Sequence, residues 1–161
     1  MSSFDRRSLL MFLALSGCGF TPALGTQGPA QRLVGRIWPA VPVDQSGFGF
    51  VKQIEARLGR VKARDYDLTY DITMISDGVG ITPDGAITRY NLTGTVTWTL
   101  TQNADGVRLA GGQVTNFSSY SATGSTVAGL TARQDAARRL MVILADEVVA
   151  RILAASARFP T

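Results

Sequence analysis

The sequence has no histidine and only one cysteine among its 161 residues, and charged residues make up 17% of it. The lack of histidine excludes a Ser-His-Asp triad, a Cys-His pair and every metal site built on histidine ligands. A single cysteine cannot form a disulfide within the chain. Thr, Gly and Ala are abundant and 45% of the residues are hydrophobic, which favours one sheet-containing domain with a real core.

The remaining polar residues offer no catalytic arrangement. Asp67 and Asp71 share a face of a predicted strand, but residues i and i+4 of a strand lie about 13 Å apart, too far for the carboxylate pair of a glycosidase. Gly78 and Gly80 are not followed by a helical pattern, so they do not form a phosphate-binding loop. The sequence therefore predicts a protein that is not an enzyme and that holds neither a cofactor nor a metal ion.

Residues 1–17 have the pattern of an export signal. Arg6 and Arg7 supply positive charge before an apolar run at residues 9–15. The run has the length of a signal-peptide core and falls far below the roughly 20 apolar residues that span a bilayer. No other stretch is as apolar, so we expect no transmembrane helix in the mature protein. The arginine pair also resembles a twin-arginine signal, although two arginines more often serve simply as positive charge.

The one cysteine follows this apolar run, and two cleavage sites compete around it. An ordinary signal peptidase can cut after Ser16, since Ala14 and Ser16 are both small. The run from Leu15 to Cys18 (LSGC) instead matches a bacterial lipobox, in which the thiol takes a diacylglyceryl group as a thioether. The ordinary cut leaves an unpaired thiol in an oxidising compartment, whereas the lipobox uses it as an attachment point. We therefore expect residues 1–17 to be removed and Cys18 to carry the lipid.

The charge that remains after export indicates a class of partner. Without residues 1–17 the chain keeps 14 basic and 11 acidic residues. An exported basic protein does not meet nucleic acid, so the charge favours an anionic lipid or a phosphorylated glycolipid. Gly19 stands where the best-known sorting scheme has the aspartate that retains lipoproteins in the inner membrane. We therefore expect a protein of the outer membrane that is held by its lipid anchor and faces the periplasm.

The rest of the sequence predicts a short tether and one domain. Residues 18–31 are rich in Gly, Pro, Thr and Gln and are typical of a tether, while residues 32–161 contain the regular elements. Apolar positions there recur with period two in strands and with helical spacing in helices. The predicted elements are, in order, a strand within 32–42, a helix at 47–58, strands at 66–75, 88–102 and 109–120, and a helix at 130–155.

Local signals predict how several of these elements begin and end. Gly59 is a plausible stop for the first helix. Asp77-Gly78 and Pro83-Asp84-Gly85 predict a loop after the second strand, and the glycines of the fourth strand suggest a bulge. Thr131 and Gln134 have the spacing of a capping box near the start of the last helix.

This order of elements predicts a two-layer α/β sandwich. A right-handed crossover makes the first two strands parallel, and strands two to four form an antiparallel meander. Clean alternation in strands two and three indicates that only one face of the sheet is covered. The predicted fold class is therefore α+β, in the order β-α-β-β-β-α, with a four-stranded mixed sheet and both helices on one face. Trp98 should be buried beneath the helices, while Thr97 and its neighbours form an outward face of Thr and Asp.

Several segments occur together in a fixed order. They are the lipobox with Cys18-Gly19-Phe20, then "IEARLG", "YDLTYDI", "TRYNLTGTVTWTL", "SSYSAT" and "ADEVVARIL". In this combination the chain resembles the lipopolysaccharide-assembly lipoprotein family, the LptE-like proteins. The resemblance implies a plug inside the outer-membrane β-barrel that inserts lipopolysaccharide, where it assists barrel assembly and contacts lipopolysaccharide. The alternative is a free periplasm-facing lipoprotein that binds a small ligand or lipid without a barrel partner.

The resemblance also implies where lipopolysaccharide would be contacted. The family's basic contacts lie in the turn after the second strand and near the start of the last helix, which fall at Pro83 and Leu130 here. The nearest basic residues, Arg89 and Arg133, are therefore the candidates. A second candidate group surrounds the end of the first helix, where it could bind phosphates or simply complement the helix dipole. Its members are Arg57, Arg60, Lys62 and Arg64.

Overall fold

A computed structural model of the chain describes residue 28, residues 30–122 and residues 125–159. Cys18 and the predicted export signal lie outside these described residues, as does most of the predicted tether. Short 3₁₀ helices at Gln31–Leu33 and Ser156–Arg158 flank the main elements. The main elements are β1 (Ile37–Pro39), α1 (Gln45–Leu58), β2 (Tyr66–Ile81), β3 (Ile87–Gln102), β4 (Arg108–Ser121) and α2 (Thr126–Ala155).

The four strands form one mixed sheet in the order β1-β2-β3-β4. β1 runs parallel to β2, with Ile37 opposite Tyr66. The other pairs are antiparallel, with Tyr66 opposite Gln102 in β3 and Thr95 opposite Thr115 in β4. The predicted β-α-β-β-β-α fold is confirmed.

The sheet gives the molecule two distinct ends. The hairpin end contains the turn between β2 and β3 and the start of α2. The terminal end contains the first and last described segments, which are joined because the Arg32 guanidinium donates to the backbone carbonyls of Ser156 at 2.7 Å and Phe159 at 2.9 Å. The Phe159 ring also lies 6.4 Å from the ring of Tyr66, the first residue of β2.

Both helices pack on the sheet face that carries the even-numbered residues of β3. Trp98 on this face is 3% exposed, and Val96 and Leu100 are fully buried. Gly94 permits the close approach of α2, since a Cβ there would lie 2.9 Å from side-chain methyl carbons of Leu140 and Leu144. The core runs from Ala30 to Phe159, so a chain that begins at Gly19 keeps every one of its residues.

The ends of α1 follow from its sequence. The Asp44 carboxylate accepts a hydrogen bond from the backbone N–H of Gly47 at 2.7 Å, which satisfies a free donor of the first turn. Gly59 follows the helix with a φ of 81°, which a residue without a Cβ adopts without strain. The predicted stop at Gly59 is confirmed, and the buried face of the helix is Phe50, Ile54 and Leu58.

The loop predicted after residue 75 is wrong in its first half, because β2 continues to Ile81. Asp77 lies opposite Asn91 and Gly78 lies opposite Tyr90 in the continuing ladder. Asp-Gly favours a turn only where no partner strand holds the backbone extended, and here β3 supplies one. The turn itself falls at residues 82–86, where Gly85 has a φ of 83° and donates to the carbonyl of Thr82 at 2.9 Å.

The start predicted for the last helix and its capping box are also wrong. α2 begins at Thr126, and the Ser125 hydroxyl accepts a hydrogen bond from the N–H of Ala128 at 3.3 Å. Thr131 lies inside the helix, where its hydroxyl donates to the carbonyl of Val127 at 3.0 Å. The earlier serine cap therefore satisfies the first turn, and Thr131 has no free N–H to cap.

The predicted irregularity of the fourth strand exists, but glycine is not its cause. The register of β4 against β3 shifts at Leu109, where Leu100 pairs with Ala110 and Thr101 pairs with Arg108. Gly111 and Gly112 pair regularly with Thr99 and Trp98.

Candidate functional site

The structure brings Arg89 and Arg133 to the hairpin end and places the second basic group at the terminal end. Arg89 lies near the start of β3, whereas the loop that carries Arg60 and Lys62 leads into Tyr66, opposite the last residue of β3. Along β3, thirteen residues separate Arg89 from the last residue, Gln102, which is a distance of about 43 Å at 3.3 Å per residue. The two basic groups therefore cannot contact the same small ligand.

Arg89 projects from an irregular part of the hairpin. The pairing of β2 with β3 shifts on both sides of Gly80, which lies opposite Arg89. A Cβ on Gly80 would lie 2.7 Å from the Thr88 hydroxyl and 3.2 Å from the Arg89 Cβ, so glycine lets the strands close here. Arg89 is exposed, and it has no ion-pair partner in the part of the chain that the structure describes.

Arg133 lies about two turns into α2, on the opposite layer of the sandwich from Arg89. It is exposed and has no ion-pair partner within 30–122 or 125–159. The neighbouring Arg138 and Arg139 are different, because both form ion pairs with Asp135. Arg89 and Arg133 are therefore the cations of the hairpin end that are free to meet an anion.

Exposed apolar side chains, which the sequence did not predict, lie near these two arginines. Ile81 and Ile87 face each other across the hairpin and are 69% and 42% exposed. Val127 and Leu130 in the first turns of α2 are 74% and 56% exposed. The sequence does contain one signal that could have indicated them, because an isoleucine lies on each side of the predicted turn. Cations beside exposed apolar groups suit an amphipathic anion such as a phosphorylated glycolipid.

Two of the four cations predicted around the end of α1 form ion pairs. Arg57 donates to both carboxylate oxygens of Asp146 at 2.8 and 2.7 Å, and Arg64 donates to Asp67 at 2.7 Å. The hydrogen bond from Arg57 is the main cause that lowers the pKa of Asp146, and burial opposes it. These two arginines therefore join elements within the fold. Arg60 and Lys62 are exposed and have no such partner among the described residues.

A groove lies beside these cations, between β1 and α1. It has a volume of about 480 Å³, and Arg60 and Glu55 are its charged residues. Trp38, 42% exposed, contributes one wall, and the Arg64 guanidinium lies 5.5 Å from the centre of its ring. The sequence did not predict this groove because α1 and β1 meet only in the folded chain. Its apolar residues are Trp38, Pro39, Val41, Pro42, Val51 and Val61.

No described element covers the sheet face opposite the helices, and this face is mostly polar, as predicted. Thr73, Thr95 and Thr115 align across three strands, with the last two hydroxyls 3.1 Å apart. One row differs from the predicted Thr and Asp surface, because Ile75 and Phe117 flank Thr93. Their side chains are 59% and 57% exposed. The threonines of this open face are Thr69, Thr73, Thr93, Thr95, Thr97, Thr99, Thr101 and Thr115.

Comparison with known protein families gives a match over residues 39–152, to the LptE family, which is described as lipopolysaccharide-assembly. The chain belongs to the LptE family. The LptE match spans all of α1, β2, β3 and β4, and it includes the candidate contacts Arg60, Lys62, Arg64, Arg89 and Arg133. A sequence comparison with curated proteins found no match.

Several solved structures similar to this LptE-family chain are described as lipoproteins. A Caulobacter crescentus protein described as a lipoprotein aligns with a TM-score of 0.67 at 15% identity, over 80% of this chain and 96% of its own. Rare lipoprotein B from Shewanella oneidensis aligns with a TM-score of 0.60 at 9% identity, over 76% and 96%. A minor lipoprotein from Acinetobacter baumannii gives 0.54 at 18% identity, over 78% and 92%. At these identities the likeness shows the shared fold.

Two further observations concern the described part of this LptE-family protein. None of its described helices is both long and apolar enough to cross a bilayer. Within residues 30–122 and 125–159, no three Asp, Glu, His or Cys side chains are grouped so as to hold a metal ion.

Proposed function

We propose that this protein is the lipid-anchored partner of the outer-membrane β-barrel that inserts lipopolysaccharide. It sits in the barrel lumen as a plug, assists assembly of the barrel and contacts lipopolysaccharide at its hairpin end. The lipid on Cys18 holds it at the periplasmic side of the outer membrane. Membership of the LptE family supports a role in lipopolysaccharide assembly, and the individual contacts are inferred from the geometry below.

The observation that carries the proposal is the uncovered face of the sheet. Three strands of 14 to 16 residues present this face to the surroundings, and their outward side chains are mainly hydroxyls. A polar, hydrogen-bonding surface of this kind matches the hydrophilic interior of a barrel. The row of Ile75 and Phe117 adds exposed apolar area at its centre, which is typical of a surface that a partner covers.

The chemistry of the hairpin end supports contact with lipopolysaccharide. Arg89 and Arg133 have no intramolecular ion pair among the described residues and can meet phosphates. Ile81 and Ile87 lie beside Arg89 and can meet the apolar part of the same molecule. The second candidate function, a free lipoprotein that binds a small ligand, is favoured by the groove at Trp38, because its volume of about 480 Å³ is within the usual range of ligand sites.

Purification in mild detergent from the native outer membrane tests the barrel partner. We expect the acylated protein to co-purify with the barrel and Phe117→Asp to lose most of it, since a carboxylate would be buried at the interface. Phe48→Asp is the matched control, because Phe48 is 63% exposed but lies on α1, away from the open face. Circular dichroism checks that both variants fold.

Two outcomes would contradict this part of the proposal. If the wild-type protein carries no barrel that mass spectrometry can identify, the free lipoprotein is the better description. If both variants keep the barrel equally, the open face is not the contact surface.

Titration of lipopolysaccharide into a chain that begins at Gly19 tests the hairpin end. Arg89→Glu should weaken binding at least tenfold, since a charge-assisted hydrogen bond contributes roughly 1.5–3 kcal/mol, and the wild-type affinity should fall with added salt. Lys52→Glu is the control, because Lys52 is an exposed lysine on α1 far from the hairpin. Equal affinities for wild type and Arg89→Glu would remove Arg89 from the contact.

A further inference from the structure

The positive charge of the described chain is concentrated at the terminal end. This end carries nine basic and five acidic residues, while the rest of the described residues carries five basic and six acidic. The excess of positive charge therefore belongs to one end of the molecule. The segments of this end are residues 31–38, 57–67, 102–108 and 146–159.

Internal ion pairs use only part of this charge. At the terminal end, four arginines are paired with carboxylates of the same chain. Three of these pairs join neighbouring segments of the fold, and the fourth joins successive turns of α2. Four other cations there are exposed and have no carboxylate within ion-pair distance in the described residues. They are Arg60, Lys62, Arg108 and Arg158.

Apolar side chains lie directly beside one of these cations, Arg60. Arg60 lines the groove that Trp38 and Val41 also line, and Val41 is 76% exposed. Lys62 is two residues further along the same loop. Tryptophan prefers the boundary between an apolar phase and water, and long basic side chains place their charge at the same level while their stems pack on apolar surface.

The path of the chain decides which end of the molecule is near the lipid anchor. The described chain enters its core at Ala30, at the terminal end. Twelve residues, Cys18 to Pro29, precede Ala30, so this segment reaches at most about 40 Å when fully extended. A lipid on Cys18 would therefore keep the terminal end within about 40 Å of the bilayer, whereas the hairpin end, about 43 Å along the strands, could lie up to about 83 Å away.

We infer that the terminal end binds the surface of an anionic phospholipid bilayer. Arg60 and Lys62 contact the phosphates of the headgroups, and Trp38 inserts at the boundary between headgroups and acyl chains. The bound lipid is the phospholipid of the leaflet that holds the anchor, since this surface lies where the anchoring segment leaves the domain. It acts beside the acyl anchor on Cys18, whose diacylglyceryl group already supplies the two chains that stable membrane attachment requires. The inference does not depend on a barrel partner.

Vesicle binding by the chain that begins at Gly19 tests the inference without the anchor. We expect binding to vesicles of phosphatidylcholine mixed with phosphatidylglycerol, and little to phosphatidylcholine alone. The double variant Arg60→Gln/Lys62→Gln should partition about 25-fold less, because each basic residue near an anionic surface contributes about fivefold. The control is Arg89→Gln/Arg133→Gln, which removes the same charge from the hairpin end and should bind these vesicles like wild type.

Tryptophan fluorescence gives a second measurement on the same samples. Trp98 is 3% exposed and Trp38 is 42% exposed, so a blue shift on vesicle binding should come from Trp38. The shift should vanish in Trp38→Phe while the buried Trp98 still emits.

The outcomes separate this inference from the proposed function. Equal vesicle partitioning of wild type and Arg60→Gln/Lys62→Gln, or an equal loss in the hairpin-end control, would overturn it. A third result would also overturn it: the terminal-end variant loses binding to lipopolysaccharide aggregates but binds phosphatidylglycerol vesicles like wild type. The surface would then bind the glycolipid and not the phospholipid. Weak lipopolysaccharide binding by the hairpin-end variant alone would support the proposed function and leave the vesicle result standing.

Discussion

Replacing Trp98 by alanine is expected to lower the free energy of unfolding by about 3–5 kcal/mol, as truncation of a large buried aromatic does. Trp98 is 3% exposed and lies between Tyr70 and Gly112 on the covered face of the sheet. Its removal leaves a cavity beneath both helices that the paired strands cannot close. Denaturant unfolding followed by circular dichroism measures the change.

Two matched variants make the result specific. The Trp98 Nε1–H is buried without a hydrogen-bond partner among the described residues. Trp98→Phe should therefore keep most of the stability, because it removes this unpaired donor while retaining an aromatic ring. Thr97→Ser, one residue away on the exposed face, should be nearly neutral. If Trp98→Ala costs less than about 1 kcal/mol, well below the range for buried aromatics, the assignment of the covered face is wrong.

Replacing Cys18 by serine is expected to abolish lipid attachment completely. A hydroxyl does not take the diacylglyceryl group that a thiolate takes, so the protein should stay unprocessed or become soluble in the periplasm. Mass spectrometry of the mature wild-type N-terminus should show an acylated Cys18, and fractionation should place it in the outer membrane. Ser16→Ala is the control, since it keeps a small residue in the lipobox and should be processed and acylated normally.

One form of the mature N-terminus would directly contradict the predicted lipid anchor on Cys18. A mature wild-type protein that starts at an unmodified Gly17 shows that an ordinary signal peptidase cut the chain. The domain would then lack a lipid, and its attachment to any membrane would depend on its surface alone.

Most of the fold could be predicted because its strands have one covered and one open face. In β3 the alternation of Leu92, Val96 and Leu100 with threonines assigns each side chain to a face, and the structure confirms it. Of the two boundary errors, one depends on pairing with a neighbouring strand and the other on a local cap just before the helix. β2 passes through Asp77-Gly78 because β3 pairs with it, and α2 begins early because Ser125 supplies a cap.

The surfaces could be predicted less well than the fold. The sequence shows that the loop after α1 is basic, but it does not show that Arg57 pairs with Asp146, 89 positions later. It also does not show that Arg60 and Lys62 have no ion-pair partner among the described residues. The sequence also did not predict that Ile81, Ile87 and Phe117 are exposed, because an apolar residue in an amphipathic pattern is expected to be covered. Exposure depends on what covers each side chain: α1 is too short to reach the hairpin, and Phe117 lies on the sheet face opposite both helices.

The two hydrogen bonds from Arg32 to the carbonyls of Ser156 and Phe159 have a consequence for the order of folding during export. They join the first described segment to the last, more than 120 residues apart, so in a chain exported unfolded they would form only after nearly all of it has crossed the inner membrane. The β2–β3–β4 meander has short connections and can form earlier, but its covered face stays bare until α2 has emerged. We therefore expect partly exported chains to remain sensitive to protease and to need protection from aggregation.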